Sequence, residues 1–234
     1  MEDKYQQFGK RFGISFNDKN LLEQAFTHRS YINENKNSGL SHNERLEFLG
    51  DAVLELITTE FLYDKFPEVS EGILTAYRSA LVRTETISRV ARKMGMNELL
   101  KLSKGEARDE GKARDYILAN TFEAFLGALH LDQGYEVVKK LVADLLFQEI
   151  EEIIKTGSWK DSKSRVQEYA QENYGETPHY EIISATGPDH DKKFVVAVFF
   201  GEKEIARGEG KSKQQAQQNA AKKALEKEGV LKNG

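Results

Sequence analysis

The feature that most constrains the fold is a long helical pattern that runs from Leu21 to about Ile154. Apolar residues recur there at three- and four-residue spacing, which is the period of amphipathic helices. Pro67 is the sole proline of this stretch, so little in it interrupts a helix. The pattern predicts an all-α domain, with the polar segment 105–115 as an exposed loop. Further loops or helix ends are expected at glycines 39, 72, 95, 105, 111 and 134.

The composition excludes several kinds of site and of anchoring. The 234 residues include no cysteine, which rules out disulfides, thiolate metal sites and cysteine nucleophiles. No stretch approaches the roughly 20 consecutive apolar residues that span a membrane. The charged N-terminus (MEDKYQQFGK) is unlike a secretory signal. We therefore expect a cytoplasmic protein without membrane contact.

The character of the chain changes around KTGSWKDSKS (155–164), where the hydrophobic periodicity stops. A helix over 161–174 follows, then three strand candidates and a final helix that starts near Lys211. The strand candidates are HYEII (179–183), KFVVAVFF (193–200) and EIARGEG (204–210). The order helix–strand–strand–strand–helix predicts a small α+β domain. The predicted organisation is a helical domain (1–154), a linker (155–160) and the α+β domain (161–234).

The charge is divided unevenly between these regions. The whole chain carries a formal net charge of -4. From residue 160 onward there are 13 Lys and Arg against 12 Asp and Glu, so the acidic surplus lies in the first 159 residues. The overall charge therefore does not indicate which kind of molecule the chain binds. That has to be inferred from local clusters of charged residues.

Three acids lie within the most apolar helix, NERLEFLGDAVLELITTEFL (43–62). Its apolar residues almost encircle it, so we expect it to be largely buried. At about 100° per residue, Glu44, Glu47 and Asp51 share one side of this helix. Buried carboxylates raise one another's pKa, and cations among them would offset that cost. Oxygen ligands without cysteine or a histidine cluster favour Mg²⁺ or Mn²⁺ over zinc.

These acids have a plainer interpretation, in which they face solvent or pair with Arg45, Arg78 or Arg83. A second apolar helix, over 116–134, bears on the choice because it carries Glu123, with Asn120 three residues earlier on the same face. If the two helices pack together, Glu123 completes a site with the acids of the first helix. Spacing alone leaves both interpretations open.

The string NERLEFLGDAVLEL (43–56) resembles the signature of the ribonuclease III family. The resemblance extends through LLEQAFTHRSY (21–31), SEGILTAYRSALV (70–82) and ILANTFEAFLGALHLD (117–132). It implies an all-α endonuclease domain with a metal site at Glu47, Asp51, Asn120 and Glu123, in which Asp51 and Glu123 are catalytic. Glu44 and Glu71 match two accessory acidic positions, associated with the family's site and its dimer contact region.

Asn120 departs from the family's pattern, in which the corresponding metal-site residue is normally an aspartate. An amide offers one carbonyl oxygen but brings no negative charge to a divalent cation. The asparagine could be an engineered inactivation, a natural variant of reduced activity or a tolerated change. We favour one of the first two, and so expect a chain that binds RNA but cuts weakly or not at all.

Three C-terminal segments resemble the recognition regions of the double-stranded RNA-binding domain: DSKSRVQEYAQ (161–171), GPDHDKKF (187–194) and GEGKSKQQAQQNAAKKAL (208–225). Duplex RNA is recognised by shape, through minor-groove hydroxyls and phosphates. Alanines 216, 220, 221 and 224 predict that the final helix lies close on the sheet. The resemblance implies RNA contacts by Ser164, Gln167, Glu168, Gln171, His190, Lys211, Ser212 and Lys213.

Together these features predict an endoribonuclease that hydrolyses double-stranded RNA with two Mg²⁺ ions, which Mn²⁺ can replace. The resemblance implies a homodimer, products with 5′-phosphate and 3′-hydroxyl ends, and a role in processing ribosomal and other RNA precursors. No small-molecule cofactor is expected. The alternatives are a double-stranded RNA binder that does not cleave, with Asn120 as the discriminating residue, and a helical scaffold whose acids are surface charge.

Overall fold

The structure is a computed structural model that describes residues 4–188 and 192–230. It divides into two compact units, Met1–Trp159 and Lys160–Gly234. The first consists of helices and loops, and the second combines two helices with a three-stranded sheet. The prediction of an all-α domain followed by an α+β domain is confirmed. No helix within the described ranges is long and apolar enough to cross a membrane.

The first unit is built around α7, which runs through its core. Leu118, Phe122, Phe125, Leu126 and Leu129 of this helix are fully buried. The α-helices are α1 (Lys4–Arg11), α2 (Lys19–Ala25), α3 (Arg29–Glu34), α4 (Glu44–Lys65), α5 (Glu71–Val82), α6 (Thr84–Met94), α7 (Lys112–Gln133), α8 (Tyr135–Leu146) and α9 (Glu149–Lys155). Short 3-10 turns cover Asn97–Leu99 and Glu106–Arg108.

The polar segment 105–115 is not one continuous loop, so that prediction is wrong in part. It contains a 3-10 turn, and α7 begins inside it at Lys112. The buried side chain of Arg114 explains this order, because its Nη2 donates to the carbonyl oxygens of Glu106 (2.7 Å) and Asp109 (3.0 Å). A buried polar side chain thus stabilises the 3-10 turn. Hydrophobic periodicity gives no sign of such a contact.

The predicted burial of the helix over 43–62 is wrong for one of its faces. This helix, α4, buries one side in the core through Leu46, Val53, Leu54, Ile57 and Leu62. Its other face exposes Phe48 (82%), Leu56 (52%) and Tyr63 (72%). Large apolar side chains that share an exposed helix face indicate a contact surface for another molecule.

The second unit lays two helices, α10 (Ser162–Tyr174) and α11 (Lys213–Lys227), against an antiparallel sheet of order β1–β2–β3. The strands are β1 (His179–Thr186), β2 (Lys193–Phe200) and β3 (Lys203–Gly210). β1 continues beyond its predicted end at 183, because a register shift between Ile182 and Ser184 lets its pairing with β2 resume. The core between helices and sheet includes Val166, Ala170, Val198, Phe200, Ile205 and Leu225.

The last helix approaches the sheet very closely, as its alanine face predicts. Alanines 216, 220, 221 and 224 are fully buried. A Cβ atom on Gly208 of β3 would lie 2.1 Å from the backbone nitrogen of Ala220, so the helix and the strand meet backbone to backbone there. Small residues on both sides therefore set the position of α11.

Candidate functional site

Helices α4 and α7 cross in direct backbone contact at Gly50 and Gly127. A Cβ on Gly50 would lie 1.7 Å from the carbonyl oxygen of Glu123, and a Cβ on Gly127 would lie 2.2 Å from that of Leu46. Real side chains do not approach so closely, so the crossing requires glycine on both helices. The two acid-bearing helices therefore pack together at the turns that carry Glu47 and Glu123.

The crossing places Glu123 close to Asp51 and Glu47, and these three residues form the acidic cluster. Burial raises the pKa of Glu123 to about 8, and the charges of Asp51 and Glu47 add to the rise. Glu47 and Glu123 are partly buried, whereas Asp51 is exposed. Like charges held together in this way disfavour one another's ionisation, and a bound cation would relieve the repulsion.

Asn120 lies beside the acidic cluster and contacts Glu47. The pKa of Glu47 is raised first by burial and next by the charge of Glu44, with a smaller contribution from Asp51. The Asn120 side chain lowers it, because a hydrogen bond to the carboxylate favours the ionised form. Only the amide N–H of an asparagine side chain can donate to a carboxylate, so that N–H faces Glu47.

The ion-pair interpretation does not describe the acidic cluster. Within residues 4–188 and 192–230, none of its three carboxylates forms a salt bridge with lysine or arginine. Arg78 instead donates to Thr59 Oγ1 (3.0 Å), and Arg83 donates to a backbone carbonyl (3.2 Å). The accessory acid Glu44 differs, since it pairs with Arg29 at 3.3 Å. Within the described residues, the cluster is therefore not neutralised by a lysine or an arginine.

The donor set of the acidic cluster fits a hard divalent cation, although its side chains are not preassembled around one. In the part of the chain that the structure describes, no three His, Cys, Asp or Glu side chains converge as a metal-binding group. Mg²⁺ does not need such a cage, because it keeps several waters and takes one or two carboxylates from the protein.

Glu71, the second accessory acid, lies near the other end of α4 from the acidic cluster. It begins α5, and its Oε1 accepts a hydrogen bond from Thr75 Oγ1 (3.0 Å). Glu71 also lines a cavity of about 570 Å³ beside the C-terminal half of α4. The wall of this cavity is mainly apolar and includes Leu62, Tyr63, Phe66, Pro67, Val69 and Leu74.

The predicted RNA contacts on α10 share the exposed surface of that helix. They are Ser164, Gln167, Glu168 and Gln171. Two of them have side-chain partners, since Ser164 Oγ donates to Asp161 Oδ2 (2.5 Å) and Lys160 Nζ donates to both carboxylate oxygens of Glu168 (2.9 and 2.6 Å). His190, predicted to contact RNA from the loop between the first two strands, lies outside the described residues.

Lys211, Ser212 and Lys213 are exposed just before and at the start of α11. The predicted helix start near Lys211 is confirmed, since α11 begins at Lys213 and Ser212 is its N-cap. Ser212 Oγ accepts from the Gln215 N–H (3.1 Å), and Gln215 Oε1 accepts from the Lys211 N–H (2.8 Å). Reciprocal capping of this kind holds the backbone that carries both lysines.

Two residues of the helix crossing, Gly50 and Gly127, have no predicted role, and the exposure of Phe48 is not predicted either. Glycine lowers helix propensity, so a glycine inside a helical pattern signals a packing position, and this signal was available for the first two. Phe48 gives no such signal. An apolar residue on an apolar helix shows the same pattern whether it faces a core or a partner.

The chain is similar to known proteins along most of its length. Residues 18–150 match the family described as Ribonuclease-III-like, and residues 162–228 match the double-stranded RNA binding motif. A protein named Ribonuclease 3 from Streptococcus pneumoniae (strain P1031) is 47% identical, over 92% of this chain and 93% of its own length. Another Ribonuclease 3, from Enterococcus faecalis (strain ATCC 700802 / V583), is 45% identical, over 92% of this chain and 94% of its own length.

The helical unit also resembles a solved structure. The nuclease domain of ribonuclease III from Campylobacter jejuni superposes with a TM-score of 0.56 and 36% sequence identity. The match covers 62% of this chain and 97% of that domain, which is described as having structural flexibility in a region involved in dimer formation. By sequence and by fold, the chain therefore belongs to the ribonuclease III family, as a nuclease domain followed by a double-stranded RNA-binding domain.

Proposed function

We propose that the chain is a metal-dependent endoribonuclease that cuts double-stranded RNA by a two-metal-ion mechanism and leaves 5′-phosphate and 3′-hydroxyl ends. The observation that carries this proposal is the acidic cluster, in which burial, and then the charges of Asp51 and Glu47, raise the pKa of Glu123. Membership of the ribonuclease III family and the RNA-binding domain support the substrate class. Precursors of ribosomal and other RNAs are the proposed natural substrates.

In this proposal Glu47, Asp51 and Glu123 hold Mg²⁺ or Mn²⁺, and Asn120 adds at most a neutral carbonyl oxygen. When bound, the metal lowers the pKa of a water and stabilises negative charge on the departing 3′ oxygen. Without metal, Glu123 holds a proton at neutral pH, because its pKa is raised to about 8. Metal binding requires the ionised carboxylate, so it is coupled to release of that proton.

We further propose that Asn120 slows cleavage and leaves RNA binding intact. Its amide N–H faces Glu47 and favours the ionised form of that one acid, but it supplies no fourth negative charge. A divalent cation is then held less strongly, because its attraction to the site scales with the charge of the ligands. The predicted RNA contacts lie in the other unit, so the substitution does not touch them.

We propose that two copies associate through the exposed apolar face of α4. Phe48 on that face is 82% exposed, and the cavity beside the same helix has an apolar wall and a volume of about 570 Å³, enough for an aromatic side chain. In a two-fold dimer the same surface serves both copies, so each Phe48 can enter the partner's cavity. The Campylobacter jejuni domain, described as having a region involved in dimer formation, is similar to this unit.

Duplex RNA labelled at one 5′ end tests the proposed activity. Incubation with the full chain and Mg²⁺ should give shorter labelled fragments that end in a 3′-hydroxyl, and EDTA should abolish them. Binding of the duplex in EDTA, measured by fluorescence anisotropy, separates the two functions. Retained binding without fragments at any Mg²⁺ or Mn²⁺ concentration would support the non-cleaving alternative. Neither binding nor fragments would leave only a helical scaffold.

A further inference from the structure

Asp161 is not among the predicted RNA contacts, yet its carboxylate binds one of them. Oδ1 accepts from the backbone N–H groups of Lys163 (2.9 Å) and Ser164 (3.1 Å), which makes Asp161 the N-cap of α10. Oδ1 also accepts from Gln218 Nε2 on α11 (3.3 Å). The second oxygen, Oδ2, accepts from the Ser164 hydroxyl at 2.5 Å.

The direction of the hydrogen bond between Ser164 and Asp161 follows from the chemistry of the two groups. An ionised carboxylate can only accept, so the hydroxyl must donate its single proton. A distance of 2.5 Å is typical of such a charge-assisted bond. Although burial raises the pKa of Asp161, hydrogen bonds from Ser164, Gln218 and Lys163 bring it below its ordinary value and keep the group ionised at neutral pH.

Ser164 therefore has lone pairs but no proton to offer a ligand. It is exposed, so those lone pairs face solvent. Glu168, one helical turn later, is likewise an acceptor, and Lys160 orients its carboxylate through two hydrogen bonds. These two positions of α10 thus present acceptors, and they can only bind a ligand that brings donors.

The donors available on a duplex are few. Phosphate oxygens only accept, and in the minor groove an A·U pair offers only acceptors on its base edges. The ribose 2′-hydroxyl is the remaining donor, and it is the group that distinguishes RNA from DNA. In a duplex of A·U pairs, an acceptor on α10 can therefore be satisfied only by a 2′-hydroxyl.

We propose that Asp161 is a specificity-determining positioning residue, which holds Ser164 as an acceptor and so makes α10 select duplexes with a 2′-hydroxyl donor. The inference rests on the proposed RNA binding by Ser164. The new element is the role of Asp161. Its carboxylate need not touch RNA, yet the weaker binding of a duplex that lacks the 2′-hydroxyl donor depends on it.

The Asp161→Asn variant isolates the direction of the hydrogen bond. Asparagine is as good an N-cap as aspartate, so α10 keeps its cap. Its carbonyl oxygen replaces Oδ1, while an NH₂ group replaces Oδ2 and cannot accept from Ser164. Ser164 must then turn its lone pair toward the amide, and its proton becomes free for a ligand.

The measurement is a ratio of dissociation constants for the full chain in EDTA, where metal-dependent cleavage is prevented. The two probes are an A·U duplex of RNA and the same duplex with 2′-fluoro sugars, which lack the 2′ proton. We expect the native chain to bind the fluoro duplex about tenfold more weakly, since a few donor hydrogen bonds are lost. In Asp161→Asn and in Ser164→Ala this ratio should fall about threefold, and the double variant should show no further fall.

Glu202→Gln is the matched control, because Glu202 is exposed in the turn between β2 and β3, at the opposite end of the sheet from Lys211. It removes the same charge, which shifts binding of both duplexes together and leaves the ratio unchanged. A native ratio near one, or an unchanged ratio in Asp161→Asn, would overturn the inference while RNA binding stands. A native chain that binds neither duplex would overturn the proposed RNA binding as well.

Discussion

Gly50 of α4 and Gly127 of α7 face each other with no side chain between them. A Cβ atom on Gly127 would lie 3.0 Å from the backbone nitrogen of Gly50 and 2.2 Å from the carbonyl oxygen of Leu46. This contact sets the distance between the helices, and with it the distance between Glu47 and Glu123. The glycines hold no ligand, yet the geometry of the acidic cluster depends on them.

Gly127→Ala should destabilise the nuclease unit by about 2 kcal/mol, because the gain in helix propensity is smaller than the cost of forcing two helices apart. Gly72→Ala is the control, since Gly72 also lies within a helix, α5, and a Cβ there meets no atom within 4 Å. That variant should be as stable as the native chain or slightly more so. Urea unfolding measures both, and equal stability of the two variants would contradict the proposed contact.

Glu123→Gln should change how the stability of the metal-free chain depends on pH. The pKa of Glu123 is raised from 4.5 to about 8 in the folded state, so the folded state keeps a proton that the unfolded chain releases. The contribution of Glu123 to the free energy of unfolding is therefore greatest below about pH 4.5, and it is lost as the pH rises toward 8. The glutamine variant lacks this loss, and in EDTA it should melt about 5 °C higher than the native chain at pH 8.

The same two proteins should melt at similar temperatures near pH 5, where Glu123 is protonated in the folded state. Glu55→Gln, an exposed position on α4, serves as the control and should leave the pH dependence unaltered. A parallel pH dependence of the native chain and Glu123→Gln would show that burial and the neighbouring charges do not hold Glu123 protonated.

Asn120→Asp should raise the cleavage rate at limiting Mg²⁺ by about tenfold or more, because a carboxylate replaces a neutral ligand at the site. Affinity for duplex RNA in EDTA should not change. Asn20→Asp adds the same charge at an exposed position of α2 and should have the native rate. Single-turnover cleavage of duplex RNA at several Mg²⁺ concentrations measures the effect, and equal rates for all three proteins would refute a role for Asn120 in slowing cleavage.

Phe48→Ser should weaken self-association without unfolding the chain, because its side chain is 82% exposed and contributes little to the core. Loss of a phenyl group that is buried in an interface removes about 2–3 kcal/mol of the free energy of association, and a two-fold dimer loses one such group on each side. The dissociation constant measured by sedimentation should therefore rise by at least about 100-fold. Leu131→Ser, at an exposed leucine of α7, is the control. A native chain that sediments as a monomer would contradict the proposed dimer.

Much of the architecture follows from local pattern. The three- and four-residue spacing predicts the helices, and runs of strand-forming residues after residue 178 predict the strands, because both signals lie in residues a few positions apart. The spacing places Glu47 with Asp51, and Asn120 with Glu123, on shared helix faces, whereas the metal site itself is implied by the family resemblance. Even the unexpected start of α7 within a polar segment depends on Arg114, a local contact that hydrophobicity alone does not encode.

The sequence by itself determined the order of the elements, the two-domain organisation of the fold and which residues could serve a metal or RNA. Only the tertiary structure decided that the acids meet, through the glycine crossing, that Phe48 faces outward, and that Ser164 is an acceptor. The physical reason is the same in each case. Packing between segments that are distant in the chain decides which groups meet across two helices. The geometry of a single side-chain contact decides which atom of a pair donates the hydrogen bond. The periodicity of a sequence records neither.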